Sequence, residues 1–266
     1  MSRTADGWDA HVHVFDAAAP VVGGHYRPAH RPLPDIEAQA VRLDVGHLVI
    51  VQPSVYGTDP SVMLAALRAG EGRHRGIAVV EPSVDDATLD LLHAAGVRGI
   101  RFNRVSPVGH GGDAARDHAA LAPRLAERGW HLQWYTPARE LGAIATLHDA
   151  PGPPAVLDHL GGITAVLPAT DPAWDALARL ADRGAWIKLS GWYRLDAKAP
   201  YDALYEAIGR VAELFDDRMV WGSDWPHTAF APGEAPDYAS TFAPVLAALG
   251  AERARRVLQA GARLYG

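Results

Sequence analysis

The sequence contains no cysteine, which excludes disulfides, thiol nucleophiles and cysteine-bound metals and leaves any chemistry to His, Asp, Glu, Arg and Tyr. No apolar run approaches the roughly 20 residues that a membrane-spanning helix needs. The polar stretch 1–9 lacks the basic segment followed by an apolar one that marks a secretory signal. No run of Lys or Arg is long enough to neutralise a nucleic-acid backbone, and the formal net charge of -6 is spread along the chain. Nucleic acid and membrane are thus excluded as partners. The expectation is a cytoplasmic protein that acts on a small molecule.

What is present is core-forming material: of 266 residues, 48% are hydrophobic and 21% charged. Short apolar runs that end in a polar residue occur at 8–14, 47–52, 76–81 and 97–103, and again at 130–135, 155–159, 185–190 and 219–224; each reads as a buried strand. Between them, 60–69, 87–95, 115–128, 172–183 and 201–215 carry apolar residues at spacings of three and four and read as amphipathic helices. Gly96, Gly129 and Gly184 each stand just before a strand, where a left-handed residue commonly ends a helix. Strand and helix alternate throughout, and no Gly-rich phosphate loop follows the first strand. The pattern predicts one α/β domain over 1–266, a (β/α)8 TIM-type barrel rather than a doubly wound open sheet.

In such a barrel the site lies at the carboxyl ends of the strands. There the sequence places His11, His13, Gln52, Ser54, Glu81, Arg101, Asn103, Tyr135, His159, Ser190 and Asp224. The longest connection without periodicity, 17–34, contains Gly23, Gly24, His25 and Tyr26; it reads as either a lid over the site or a surface excursion.

Alternation along Asp9-Ala10-His11-Val12-His13 turns both imidazoles to one side, where they can hold one metal or one carbonyl oxygen, or simply hydrogen-bond inside the barrel. Asp224 closes an apolar strand and precedes Trp225-Pro226-His227, a place for a general base, a metal ligand or a turn-stabilising carboxylate. With His159 after another strand, the four residues form one ring at one barrel end. Arg101 at the barrel mouth can grip a carboxylate through two parallel hydrogen bonds; its alternative is a salt bridge to Glu81 on the neighbouring strand.

Longer strings carry a resemblance: Asp-Ala-His-Val-His-Val-Phe at 9–15, Val-Gln-Pro-Ser-Val-Tyr-Gly-Thr-Asp at 51–59, Gly-Val-Arg-Gly-Ile-Arg-Phe-Asn at 96–103, Asp-His-Leu-Gly at 158–161, Lys-Leu-Ser-Gly at 188–191 and Trp-Gly-Ser-Asp-Trp-Pro-His at 221–227. Over nearly its whole length the chain resembles the amidohydrolase superfamily and, within it, the group of 2-pyrone-4,6-dicarboxylate lactonases. The resemblance implies a hydrolase that opens a small carboxylated lactone. Asp224 would take a proton from the attacking water, and His11, His13 and His159 would surround the lactone carbonyl. Tyr26, Ser54, Arg101, Tyr135 and Arg194 match substrate-pocket positions, and His227 joins them as a substrate contact. No cofactor is expected to be required; the alternative is a single divalent metal such as Zn2+ on His11, His13 and Asp224, with His159 as a further ligand. Arg101 at the end of the fourth strand opposes a binuclear site.

Rival readings are a sugar-acid lactonase, a lactone isomerase and a Zn-dependent decarboxylase of the same superfamily. A noncatalytic acid-binding barrel is opposed by the complete ring. Two departures from the lactonase pattern, Pro107 in place of a second arginine and Ala229 in place of an amide, lead to the expectation that the pyrone diacid is a poor substrate.

Overall fold

A computed structural model describes residues 5–22, 26–106, 112–231 and 233–266. Eight strands run through the chain: β1 Gly7–Val12, β2 Val45–Val51, β3 Arg75–Ala78, β4 Val97–Asn103, β5 His131–Tyr135, β6 Ala155–Leu157, β7 Trp186–Leu189 and β8 Met219–Trp221. After each comes a helix: α1 Leu33–Ala40, α2 Ser61–Ala69, α3 Asp86–Ala94, α4 Ala114–Glu127, α5 Leu141–Leu147, α6 Ala173–Asp182, α7 Tyr205–Phe215 and α8 Ala243–Gln259, with α9 Gly261–Tyr265 last. The strands pair in parallel in chain order. β1 and β8 meet to close the cylinder, for Asp224 N donates to His11 O at 2.9 Å and His13 N donates to Trp225 O at 2.8 Å. This is the predicted (β/α)8 barrel.

The strands are buried on both sides because helices cover the outside and packed side chains fill the inside. In β2, Leu48, Val49, Ile50 and Val51 are all buried. The covering helices present one apolar stripe, such as Ile208, Val211, Ala212 and Phe215 of α7. Asp85 and Asp113 cap α3 and α4 by accepting from backbone N–H groups of the first turn. Gly96, Gly129 and Gly184 all have positive φ, as expected where helices turn into strands. At the seam, a Cβ on Gly222 would lie 2.5 Å from His11 Cβ, so β8 reaches β1 only with glycine there.

The strands at 8–14, 76–81, 155–159 and 219–224 stop earlier than the sequence suggests. At two of these ends the cause is a left-handed backbone: His159 has φ 50° and Asp224 has φ 61°, which turns both residues out of the sheet. The polar ends are therefore turns rather than ladder positions. Helices α1, α5 and α8 complete the alternation in stretches where the sequence marked no bounds; the first two span only 8 and 7 residues, and α8 is interrupted at Gly250 with φ 74°. The connection at 17–34 is pinned at its base, where Phe15 and Arg31 exchange backbone hydrogen bonds of 2.9 Å. Gly23, Gly24 and His25, part of the expected lid, lie outside the described residues.

Candidate active site

At the carboxyl ends of the strands a cavity of about 310 Å³ is lined by His13, Tyr26, Ser54, Arg101, Asn103, Tyr135, His159, Arg194 and Asp224, with Thr228 and Ala229 at one edge. His11 lies under its floor, fully buried.

Asp224 occupies the centre. Its Oδ2 accepts from the Tyr193 hydroxyl at 2.6 Å and from Arg194 Nε at 2.7 Å. Its Oδ1 has no hydrogen-bond partner among the described residues and stands 3.7 Å from both His11 Nε2 and His13 Nε2. Burial alone would raise this carboxyl, but the Arg194 guanidinium and the surrounding imidazoles outweigh it and hold the group well below the usual carboxylate range. Asp224 is thus an anion with one oxygen tied and one oxygen free.

His13 Nδ1 sits 2.7 Å from the Val51 carbonyl oxygen, which can only accept; Nδ1 therefore carries the ring proton and Nε2 presents a lone pair. Burial pulls His13 down to about 4, and it is neutral at pH 7. His159 is likewise lowered to about 4 by burial, with Nδ1 against Ser190 Oγ at 2.8 Å. Any side chain on Gly191 would collide with that ring.

On the opposite wall, Asn103 Oδ1 accepts from the N–H groups of Val105 and Ser106, which fixes the amide so that Nδ2 donates to Ser54 Oγ at 2.7 Å. With its oxygen used as an acceptor, Ser54 keeps its own proton for the cavity. Arg101 donates from Nε to Asp158 Oδ2 at 3.0 Å and lies over the Tyr135 ring at 5.0 Å. The wall thus offers donors and the floor offers acceptors.

A buried polar layer supports this arrangement from inside the barrel. Asp158 Oδ2 also accepts from Gln133 Nε2 at 3.0 Å, and Lys188 Nζ donates to Gln133 Oε1 at 2.7 Å. Asp158 Oδ1 lies 3.2 Å from His11 Nδ1 and 3.3 Å from Lys188 Nζ. Burial pulls the Lys188 ammonium down to about 8, against the attraction of Asp158. Asp9 holds the seam: its Oδ1 accepts from Ser223 N at 2.9 Å and His11 N at 3.2 Å, and its Oδ2 from the Tyr238 hydroxyl at 3.0 Å.

The structure therefore gathers His11, His13, Tyr26, Ser54, Arg101, Tyr135, His159, Arg194 and Asp224 around one cavity. His227 is not on it: the ring is buried behind the Trp225-Pro226 turn, against Tyr193 at 6.0 Å, and faces a neighbouring cavity. The left-handed backbone at His227, φ 63°, turns it away. Arg101 pairs with Asp158, not with Glu81, which is exposed. Arg194 lines the cavity and is bound through Nε to Asp224, so it does not serve an anion alone. Pro107 lies outside the described residues, whereas Ala229 is at the cavity edge. Tyr193, Gln133, Asp158 and Lys188 were not singled out from the sequence, although Lys188 and Gln133 are conspicuous as polar residues inside otherwise apolar strands.

Two sets of side chains bring three ligand atoms within 4.8 Å of one another: His11, His13 and Asp224, and His11, Asp158 and His159. In the second set Lys188 and Arg101 already neutralise Asp158. The first set, with a lone pair on His13 Nε2 and unpartnered atoms on His11 and Asp224, is the one whose donors fit a cation. No helix among the described residues is long and apolar enough to cross a membrane.

A family model described as Amidohydrolase matches residues 8–266. A 2-pyrone-4,6-dicarboxylate hydrolase of Comamonas testosteroni is 32% identical over 82% of this chain and 76% of its own length. A 4-sulfomuconolactone hydrolase of Rhizobium radiobacter is 31% identical over 97% of this chain and 89% of its own. A crystal structure from Pseudomonas putida, described as a candidate 2-pyrone-4,6-dicarboxylic acid hydrolase, superposes with a TM-score of 0.87 at 28% identity and covers 98% of both chains.

Proposed function

The chain belongs to the amidohydrolase family, and we propose that it is a hydrolase that opens a small lactone carrying a carboxylate or similar anionic group. The observation that carries this reading is the single free oxygen of Asp224, buried at the cavity floor and facing two imidazole nitrogens at 3.7 Å. A water held there has acceptors for both of its protons. Asp224 Oδ1 takes one as the water oxygen attacks the lactone carbonyl, a task within reach of a carboxylate because lactones are activated esters. His13 Nε2, a lone pair, orients the water rather than polarising the carbonyl. His159 can polarise it, since a Ser190 hydroxyl donating to Nδ1 leaves the proton on Nε2. Arg101 and the Ser54 hydroxyl, donors on the far wall, receive the anionic substituent.

A single divalent cation such as Zn2+ fits His11, His13 and Asp224, and when bound it supplies Lewis acidity and lowers the pKa of a coordinated water towards about 7. Arg101 and Ser54, on the far wall and outside that set, receive the anionic substituent with or without it. Names of the relatives support the substrate class: one acts on a pyrone dicarboxylate, another on a sulfomuconolactone, and each is a lactone with an anionic substituent.

The test is a panel of mono-acid, diacid and aldonic lactones assayed with and without chelator and added Zn2+. Ring opening of at least one anionic lactone is expected. Failure with every lactone in every condition overturns the reading; isomerised product or released carbon dioxide would replace it with the isomerase or the decarboxylase.

A further inference from the structure

We infer that Asp158 and Lys188 are positioning residues that fix the proton of His11 on Nδ1, so that its Nε2 offers a lone pair to the point where His13 and Asp224 converge. This deepens the proposed function, resting on its assignment of His11 to the reaction centre.

Neither Asp158 nor Lys188 lines the cavity, and both are fully buried. Asp158 Oδ2 accepts from Arg101 Nε and Gln133 Nε2, each at 3.0 Å, whereas Oδ1 makes no hydrogen bond among the described residues and stands 3.2 Å from His11 Nδ1 and 3.3 Å from Lys188 Nζ. A carboxylate oxygen at 3.2 Å from a ring nitrogen is attracted only if that nitrogen bears the proton. The competing donor to Nδ1 is Lys188 Nζ at 3.4 Å, a long contact beside the 2.7 Å bond that Lys188 gives Gln133 Oε1 and the 3.3 Å ion pair that draws the ammonium to Asp158 Oδ1. Gln133 cannot flip without setting its amide against both Lys188 and Asp158. The tautomer of His11 is thus written by charge and amide orientation on β5, β6 and β7, far along the chain from His11 itself.

Stability does not call for such a cluster, because a buried ion pair is often replaceable by apolar residues without loss. Function does: a ring turned to the other tautomer would point an N–H at Asp224 Oδ1, close the 3.7 Å gap with a hydrogen bond and occupy the one free oxygen of the base. The same switch would remove a lone pair from the set that fits a cation.

Asp158→Asn tests this at nearly constant shape. Arg101 Nε and Gln133 Nε2 demand an oxygen at the Oδ2 position against Lys188 Nζ alone at the Oδ1 position, so the new amide turns its NH2 towards His11 Nδ1 and the ring proton moves to Nε2. Nitrogen-15 NMR of histidine-labelled protein, with His11→Gln to assign the signal, reads the tautomer directly. The expected result is an Nδ1–H ring in the wild type and an Nε2–H ring in Asp158→Asn. Calorimetric titration of chelator-treated protein with Zn2+ should show affinity falling by roughly 10- to 100-fold in the variant, the usual effect of losing a partner behind a ligand. With the best lactone of the panel, kcat should fall over a similar range while KM stays, because Asp158 does not reach the substrate. An Nε2–H ring in the wild type overturns the inference even if no variant folds. So does a ring whose tautomer is the same in wild type and Asp158→Asn. Because the tautomer is read without turnover, these outcomes are separate from a failure of the lactone reading, which shows only in the substrate panel.

Discussion

Replacing His131 with methionine isolates one titration from the rest of the molecule. His131 lies on β5 inside the barrel, 1% exposed, with its ring 5.4 Å from that of Tyr265 and its Nε2 unpartnered among the described residues. Burial holds it down to about 3, and the Lys188 ammonium pushes the same way against Asp158. In the unfolded chain the same ring titrates near 6.5. A lowered folded-state pKa means that the unfolded chain binds more protons, so the stabilisation from the neutral ring is complete above about 6.5 and is lost as pH falls. From pH 7 to pH 5 the loss comes to about 2 kcal/mol, because the unfolded ring takes up nearly a full proton and the folded ring almost none. Methionine has a similar volume and does not titrate, and its flexible thioether can settle against Gly99; the cost at pH 7 should stay below about 1.5 kcal/mol. Urea unfolding of both proteins at pH 7, 6 and 5 is the assay. The difference in stability should swing by about 2 kcal/mol in favour of His131→Met on acidification, the other buried histidines cancelling between the two proteins. Parallel curves, or a swing towards the wild type, would refute the reasoning. Activity at pH 7 should not change, since His131 does not line the cavity.

Asp224→Asn should lower kcat by about 10²–10⁴-fold with little change in KM, because the amide keeps the shape but cannot accept the proton; retention of more than a tenth of the rate would remove Asp224 as base. Arg101→Met should cost about 1.5–3 kcal/mol in kcat/KM, roughly 10- to 150-fold, for lactones with an anionic substituent, and much less for neutral ones; equal losses on both would show that Arg101 acts through Asp158 alone. Gly222→Ala should lower the urea midpoint by an amount equivalent to about 1–3 kcal/mol and lower kcat as His11 is displaced; an unchanged midpoint would mean that the seam has room to spare.

The barrel was legible in the sequence because buried strands of this kind advertise themselves twice, by an apolar run and by the polar residue on which it ends. The same signal gave the ring of His11, His13, His159 and Asp224, although it set His159 and Asp224 in strands when both sit in left-handed turns beyond them. His227, expected from the resemblance alone, lies beside the neighbouring cavity, past the turn that follows Asp224, where φ at His227 is again positive. Tyr193 escaped because its reach to Asp224 depends on the short helical turn Trp192–Arg194 after β7, and nothing in the local sequence sets that path. Asp158, Gln133 and Lys188 are legible only jointly. Gln133 and Lys188 are anomalies in their own strands and Asp158 follows directly on β6, and only a barrel that lays β5, β6 and β7 side by side turns the three into one cluster of opposite charges and hydrogen bonds.

The seam between β1 and β8 carries a consequence for how activity relates to folding. Asp9 binds the N–H of Ser223, 214 residues away, and His11 and Asp224 belong to opposite sides of the same junction. In an incomplete barrel, whether newly made, nicked or partly unfolded, the base and its imidazoles stand apart, and neither side alone can bring water to a carbonyl. Hydrolysis is thus a property of the closed ring and not of any fragment of it, and turnover serves as a direct gauge of closure. Two halves of the chain, inactive apart, would announce their correct joining by the first lactone they open.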